Sequence, residues 1–293
     1  MVWTATNAAA SAFPVFVSIL PQKYFVSQIG GSRVDISVMV APGANPENYE
    51  PKPRQMAALS KARLYFAIGV PFEKTWLTKI AAGNPEMRIV RTQEGITPRA
   101  MATDFHRGAH NHLQKEGHAQ TRGLQQESEH GIYDPHIWLA PSLVMIQARH
   151  IFDALAACDS AHRSEYEKNY HKFVAELAEL DSELKRILAG RGAACEFMVF
   201  HPAWGYFADA YGLRQVPIEI EGKDPKPAQL KEMIEHAKRK GIKVIFAQPQ
   251  FSVRSAQAIA RAIEGRVIPA DPLAPNWPEN LRQLAAGFKA ALR

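Results

Sequence analysis

SAHRSEYEKNYHKFVAELAELDSELKRIL, residues 160–188, carries Tyr166, Tyr170, Phe173, Val174, Leu177, Leu180, Leu184, Ile187 and Leu188 at three-and-four spacing. That recurrence lines one face of an α-helix. Asp159 or Ser160 supplies the cap and Gly190 the stop. At 1.5 Å per residue the helix is roughly 43 Å long. It is far too long to be one more packing element of a single small core, and it divides the chain in two.

On either side of it short apolar runs alternate with helical ones. Before it, 15–19, 34–40, 64–68 and 88–90 read as strands, with helical segments around 24–29, 54–61 and 72–82. After it, strands are expected at 197–200, 216–220, 244–246 and 266–268, and helices at 204–211, 227–240, 255–264 and 279–292. Alternating β and α units imply mostly parallel sheets with helices on both faces. The expected organisation is α/β: an N-terminal lobe over 13–157, the linking helix over 158–190 and a C-terminal lobe over 191–293. A helical joiner also limits how far two lobes can close, unlike a flexible hinge.

A length of 293 residues suits two domains. With 46% hydrophobic and 22% charged residues there is enough apolar surface for folding. No run approaches the roughly 20 apolar residues of a membrane-spanning helix. The net charge of +6 comes from scattered Lys and Arg without an aromatic-interleaved basic stripe, which argues against nucleic acid. The opening MVWTATNAAASAFP lacks a basic n-region and a full apolar h-region, yet Ala10-Ser11-Ala12 has the small residues of a signal-peptidase site. A truncated or cleaved signal peptide, with mature sequence from near Phe13, and a periplasmic location are the expectation. Cys158 and Cys195 flank the long helix. A disulfide needs Cα atoms about 4.4 to 6.8 Å apart, so the two are expected to be unbridged and mostly buried.

Between 103 and 133 the periodicity fails. Six of the eleven histidines fall within 106–136: His106, His110, His112, His118, His130 and His136. Such clustering points to metal affinity, against the plainer reading of a solvated polar loop. His150, His162, His171 and His236 sit in helical segments among charged residues and read as surface.

Parallel α/β sheets place ligands outside the carboxyl edge of their strands. Polar residues at those ends are Glu47 and Glu50 in PGANPENYEPKP (42–53), His201 after Phe200, and Asp271 after 266–268, with Asp134 and His136 in YDPHIWLAP (133–141). A lone histidine is more often a satisfied residue than a ligand. Here each of His136 and His201 lies beside prolines and aromatics that stiffen the chain, as a preorganised coordination site requires. There is no G-x-S-x-G, H-E-x-x-H, G-x-x-x-x-G-K-[ST], C-x-x-C or G-x-G-x-x-G signature. What remains is a metal, or a small solute held in a cleft.

At these residues the sequence resembles the zinc and manganese solute-binding proteins of bacterial ABC importers, the ZnuA/TroA-like group. The likeness runs from Val15 to Leu292 through VFVSILPQKYFVSQIGG (15–31), PGANPENYEPKP, DPHIWL, FHPAWGYFADAYGL (200–213), PIEIEGKDPKP (217–227), KVIFAQPQFS (243–252) and DPLAPNW (271–277). The resemblance implies two Rossmann-like lobes joined by one long backbone helix, with a metal in the interlobe cleft. It implies a monomeric receptor that performs no catalysis and delivers its metal to an importer's membrane permease. By similarity His136, His201 and Asp271 are ligands. The family's first ligand is usually a His after the Pro of P-G-x-x-P-H-x-Y-E-P; here that place holds Glu47, followed by Asn48.

Three arrangements satisfy this departure: Glu47 binds directly, a loop histidine such as His130 substitutes, or water fills the place. Two imidazoles with two carboxylates suit tetrahedral Zn²⁺; oxygen ligands also suit Mn²⁺, while raw affinity ranks zinc higher. The His-rich loop, with His106, His110, His112, His118 and His130 as accessory collectors, favours zinc. Gln248 stands where relatives often carry Glu, so the supporting polar shell is expected to differ. Competing readings are a manganese-specific receptor, a metallohydrolase using Glu47 or Glu50 as base beside a metal-bound water, and a ligand-depleted relative binding another solute.

Overall fold

The computed structural model describes residues 12–102, 133–190, 195–220 and 222–291. The N-terminal segment and the loop histidines His106, His110, His112, His118 and His130 lie outside the described residues.

The chain divides into two compact units, Met1–Gly95 with Val144–Ala178, and Ile96–Leu143 with Glu179–Arg293. In the first, β1 (Phe13–Val17), β2 (Val34–Val38), β3 (Leu64–Ala67) and β4 (Arg88–Arg91) form a parallel sheet in the order β2-β1-β3-β4. Helices α1 (Leu20–Gly30), α2 (Pro53–Leu59) and α3 (Pro71–Gly83) alternate with them. Two helices follow, α4 (Pro141–Cys158) and the long α5 (Arg163–Leu188). The second unit repeats the plan. Its strands β5 (Cys195–Val199), β6 (Leu213–Pro217), β7 (Val244–Ala247) and β8 (Arg266–Pro269) run parallel in the order β6-β5-β7-β8. Between and after them lie α6 (Gly205–Ala210), α7 (Pro227–Arg239), α8 (Arg254–Ala262) and α9 (Trp277–Ala291).

All eight expected strands are present, with ends shifted by a few residues. Of segment 96–143, the described residues 96–102 and 133–143 group with the second unit. The Trp138 indole donates to Pro272 O at 2.7 Å and the Trp277 indole to Trp138 O at 2.8 Å. These buried bonds join residues more than 130 positions apart, a closeness no local pattern reveals.

The central strands β5 and β7 of the second sheet are buried on both faces because helices cover both. Met198, Phe200, Val216, Ile218 and Ile245 pack with Met233, Ala237, Ile259 and Ile263 of α7, α8 and the residue after α8. On the opposite face Phe197 and Phe246 meet Phe288 of α9 at ring centroids 4.4 and 4.3 Å apart. In the first unit Phe173 of α5 packs against Tyr24 and Phe25 of α1. Cys158 and Cys195 are unbridged as expected, but half-buried rather than buried, since each sits at the end of its element. Of the histidines expected on the surface, His171 is exposed. His236 is half-buried instead and pairs with buried Glu196 at 2.6 Å. Among the described residues no helix is long and apolar enough to cross a membrane.

Candidate metal centre

In each sheet the first strand is flanked by the second on one side and the third on the other, the topology that opens a crevice beyond the carboxyl ends. In the second unit those ends deliver His201 after β5, Glu219 after β6, Gln248 and Gln250 after β7 and Asp271 after β8. His136 comes from the crossing segment and opens the single turn Ile137–Leu139. Its ring lies edge-on to that of His201, with centroids 5.2 Å apart. Both residues are almost wholly buried, at 4% and 2% exposure. A lone imidazole in a core is unremarkable; two that face each other need a shared purpose.

Each ring is held by its own carboxylate. Asp134 Oδ1 lies 2.8 Å from His136 Nδ1 and also accepts the His136 backbone N–H at 3.0 Å. Glu219 Oε1 lies 2.8 Å from His201 Nδ1. An ionised carboxylate only accepts, so the proton of each neutral imidazole sits on Nδ1 and the lone pair on Nε2. This carboxylate–imidazole pairing is how metal-ligating histidines are oriented and made stronger donors.

The two carboxylates are answered differently. Asp134 Oδ2 accepts from Arg99 Nη1 at 2.9 Å, and Arg99 Nε reaches Asp209 Oδ2, also at 2.9 Å. Glu219 Oε2 is buried and makes no hydrogen bond among the described residues. One acceptor atom thus stays buried at the centre without a donor, and a cation placed there would satisfy it. Gln248, fully buried, donates its amide to His201 O at 2.6 Å and accepts the His201 N–H at 3.1 Å. An ionised glutamate in place of Gln248 would have no proton to give that carbonyl. The Phe251 ring stacks on His201 at 4.6 Å.

Asp271 is half-buried in the same unit, where its Oδ1 accepts from Gln250 Nε2 at 2.8 Å and from Leu273 N at 2.9 Å. Glu47 is half-buried on the loop after β2 in the first unit, where its N–H bonds Asn45 Oδ1 at 2.9 Å; Glu50 is exposed. The structure brings His136 and His201 together. Among the described residues it gathers no group of three or more His, Cys, Asp or Glu side chains closely enough to hold an ion as placed. The sequence reading missed the roles of Arg99, Glu219 and Gly205. A Cβ on Gly205 would collide with Arg99 Nη1 and Asp134 Oδ2, so the glycine makes room for that ion pair. Glu219 stood in the PIEIEGKDPKP motif, and that was its one signal in the sequence.

A family model described as "Zinc-uptake complex component A periplasmic" (ZnuA) matches residues 15–291. The "High-affinity zinc uptake system protein ZnuA" of Bacillus subtilis (strain 168) is 28% identical over 253 residues, covering 85% of this chain and 75% of that protein. A crystal structure of ZnuA is 40% identical with a TM-score of 0.84, covering 96% of this chain and 100% of the other. A 138–173 ZnuA deletion mutant described as zinc bound is likewise 40% identical, with a TM-score of 0.83 over 96% of this chain and 98% of the other.

Proposed function

The chain belongs to the periplasmic zinc-uptake complex component A family, and from that membership we propose that it is an extracytoplasmic solute-binding receptor. It captures Zn²⁺ in preference to Mn²⁺ and hands it to the membrane permease of an ABC importer. The observation that carries this reading is the pair of buried imidazoles, each held at Nδ1 by a buried carboxylate. His136 and His201 supply nitrogen ligands, Asp271 is recruited as the ion arrives, and Glu47 supplies the fourth donor. Two nitrogens with two oxygens suit tetrahedral zinc, and intrinsic affinity ranks zinc above manganese for such a set.

The reaction is capture and release, without bond making or breaking in a substrate. The relatives' names describe zinc uptake, Asp134 and Glu219 each hold one of the two rings, and Gln248 holds the backbone of His201. The His-rich loop acts as an accessory collector that raises metal concentration near the tight site.

Elemental analysis with competitive zinc titration tests the assignment. Wild type retains one tightly held ion; His201→Ala and His136→Ala each lose it, while Glu47→Gln weakens it. Should His201→Ala keep full stoichiometry and affinity, the ligand assignment is wrong.

A further inference from the structure

We propose that the first unit carries a second ligand site, for a small organic polyanion, in a hollow at the amino ends of β3 and β4, the edge opposite the carboxyl ends that sheets of this kind use for ligands. The hollow measures about 550 Å³, and its lining includes Lys61, Arg63, Asn84, Glu86, Arg88 and Cys158.

Backbone pairing creates the charge cluster. Leu64 is in register with Arg88, and the Arg88 N–H donates to Arg63 O at 3.1 Å. Two guanidinium-bearing residues therefore open adjacent strands, with Lys61 just upstream. Arg63 is already held in place: its guanidinium lies 4.9 Å from the Phe13 ring centroid, and Nη2 donates to Cys158 O, the last carbonyl of α4, at 2.7 Å. Asn84, 8% exposed, ties down the chain beside it by donating to Leu59 O and Ala62 O, both at 2.9 Å. Arg63 and Asn84 are thus ordered before a ligand arrives, which lowers their share of the ordering cost of binding.

The lining bears three cationic side chains and one carboxylate, Glu86. Among the described residues no salt bridge joins Lys61, Arg63 or Arg88 to an acidic side chain. Like charges around one concavity repel, and an anion between them turns that repulsion into attraction. Guanidinium groups match carboxylate and phosphate oxygens in bidentate geometry. A volume within the roughly 300–1,000 Å³ typical of small-molecule sites far exceeds one carboxylate or phosphate. The ligand is therefore a carbon skeleton bearing two or more such groups.

Calorimetric titration of the metal-free protein at pH 8 tests this with citrate as probe and acetate as the single-carboxylate control. Citrate is expected to bind at least tenfold more tightly than acetate. Arg88→Gln and Lys61→Gln should each weaken citrate tenfold or more, and Glu86→Gln should strengthen it. Zinc affinity of the same variants stays within twofold of wild type, which shows that they are folded. Citrate binding no tighter than acetate, or citrate affinity within twofold of wild type in Arg88→Gln, overturns the proposal.

Discussion

His136 and His201 differ in what stands behind them, and that difference governs how each responds to substitution. Behind His136 lies a continuous chain, Asp134 then Arg99 then Asp209, running from the buried ring to an exposed carboxylate. Gly205 gives that chain its space. Gly205→Ala displaces the Arg99 guanidinium and leaves Asp134 charged, buried and without its cation. The expected cost is about 3 kcal/mol of stability and about tenfold in zinc affinity, read by denaturant unfolding and by competitive titration. A variant as stable and as tight-binding as wild type would show that the clamp is dispensable. Of these residues, sequence reading found the two histidines because prolines and aromatics flank them. It noted Asp134 only as one more carboxylate. That Glu219 lies against His201 follows from β6 pairing with β5, and strand order is not written in either strand's own residues.

At the scale of elements, the long helix α5 was legible in outline because three-and-four periodicity survives over many turns. Its buried residues Phe173, Leu177, Leu180 and Leu184 are among those the pattern named. Phe173 fills the space beside Tyr24 and Phe25 of α1. Phe173→Ala is expected to cost about 3 to 5 kcal/mol, seen as a lower urea midpoint at unchanged slope. The amino edge of the second sheet makes a pH-dependent contribution. Glu196 of β5 faces His236 and Lys240 from the α7 region and Arg214 of β6, and the hydrogen bond from His236 is the main cause holding its carboxyl below the usual range. Its folded pKa is depressed, so the stabilisation is present above the unfolded carboxyl value of about 4.3 and is lost as pH falls through the folded one. Glu196→Gln should therefore flatten the acid limb of a stability–pH curve; an unchanged limb would assign acid sensitivity to other groups. Helix α4 was not delimited from sequence, and the ends of the strands shifted, because ladder bonds to neighbours set where a strand stops.

For the molecule as a whole, the repeated strand order, β2-β1-β3-β4 and β6-β5-β7-β8, puts polar residues beyond the carboxyl ends in both units. In the first, Ser18 follows β1 and bonds Tyr65 and Glu73, whose carboxyl is pushed up chiefly by burial. The His-rich loop interrupts this plan between two points fixed by the bridge Ala100↔Tyr133. Deleting residues 106–130 should leave one tight zinc site while lowering total stoichiometry or capture rate, measured by equilibrium dialysis and stopped-flow uptake. Loss of the tight site on deletion would make a loop histidine a primary ligand and displace Glu47 from that role.

Periodicity, alternation of β and α units, and stiffened histidines at strand ends are local properties, and these the amino-acid order determined unaided: two parallel α/β halves, one long helix between them, and His136 and His201 as paired candidates. That Trp138 bonds the chain at Pro272, which carboxylate steadies each imidazole, and why glycine stands at 205 are matters of contact between residues that range from near neighbours to more than a hundred positions apart. Only the tertiary structure decided them, because burial and hydrogen bonding act through space and leave no period in the chain.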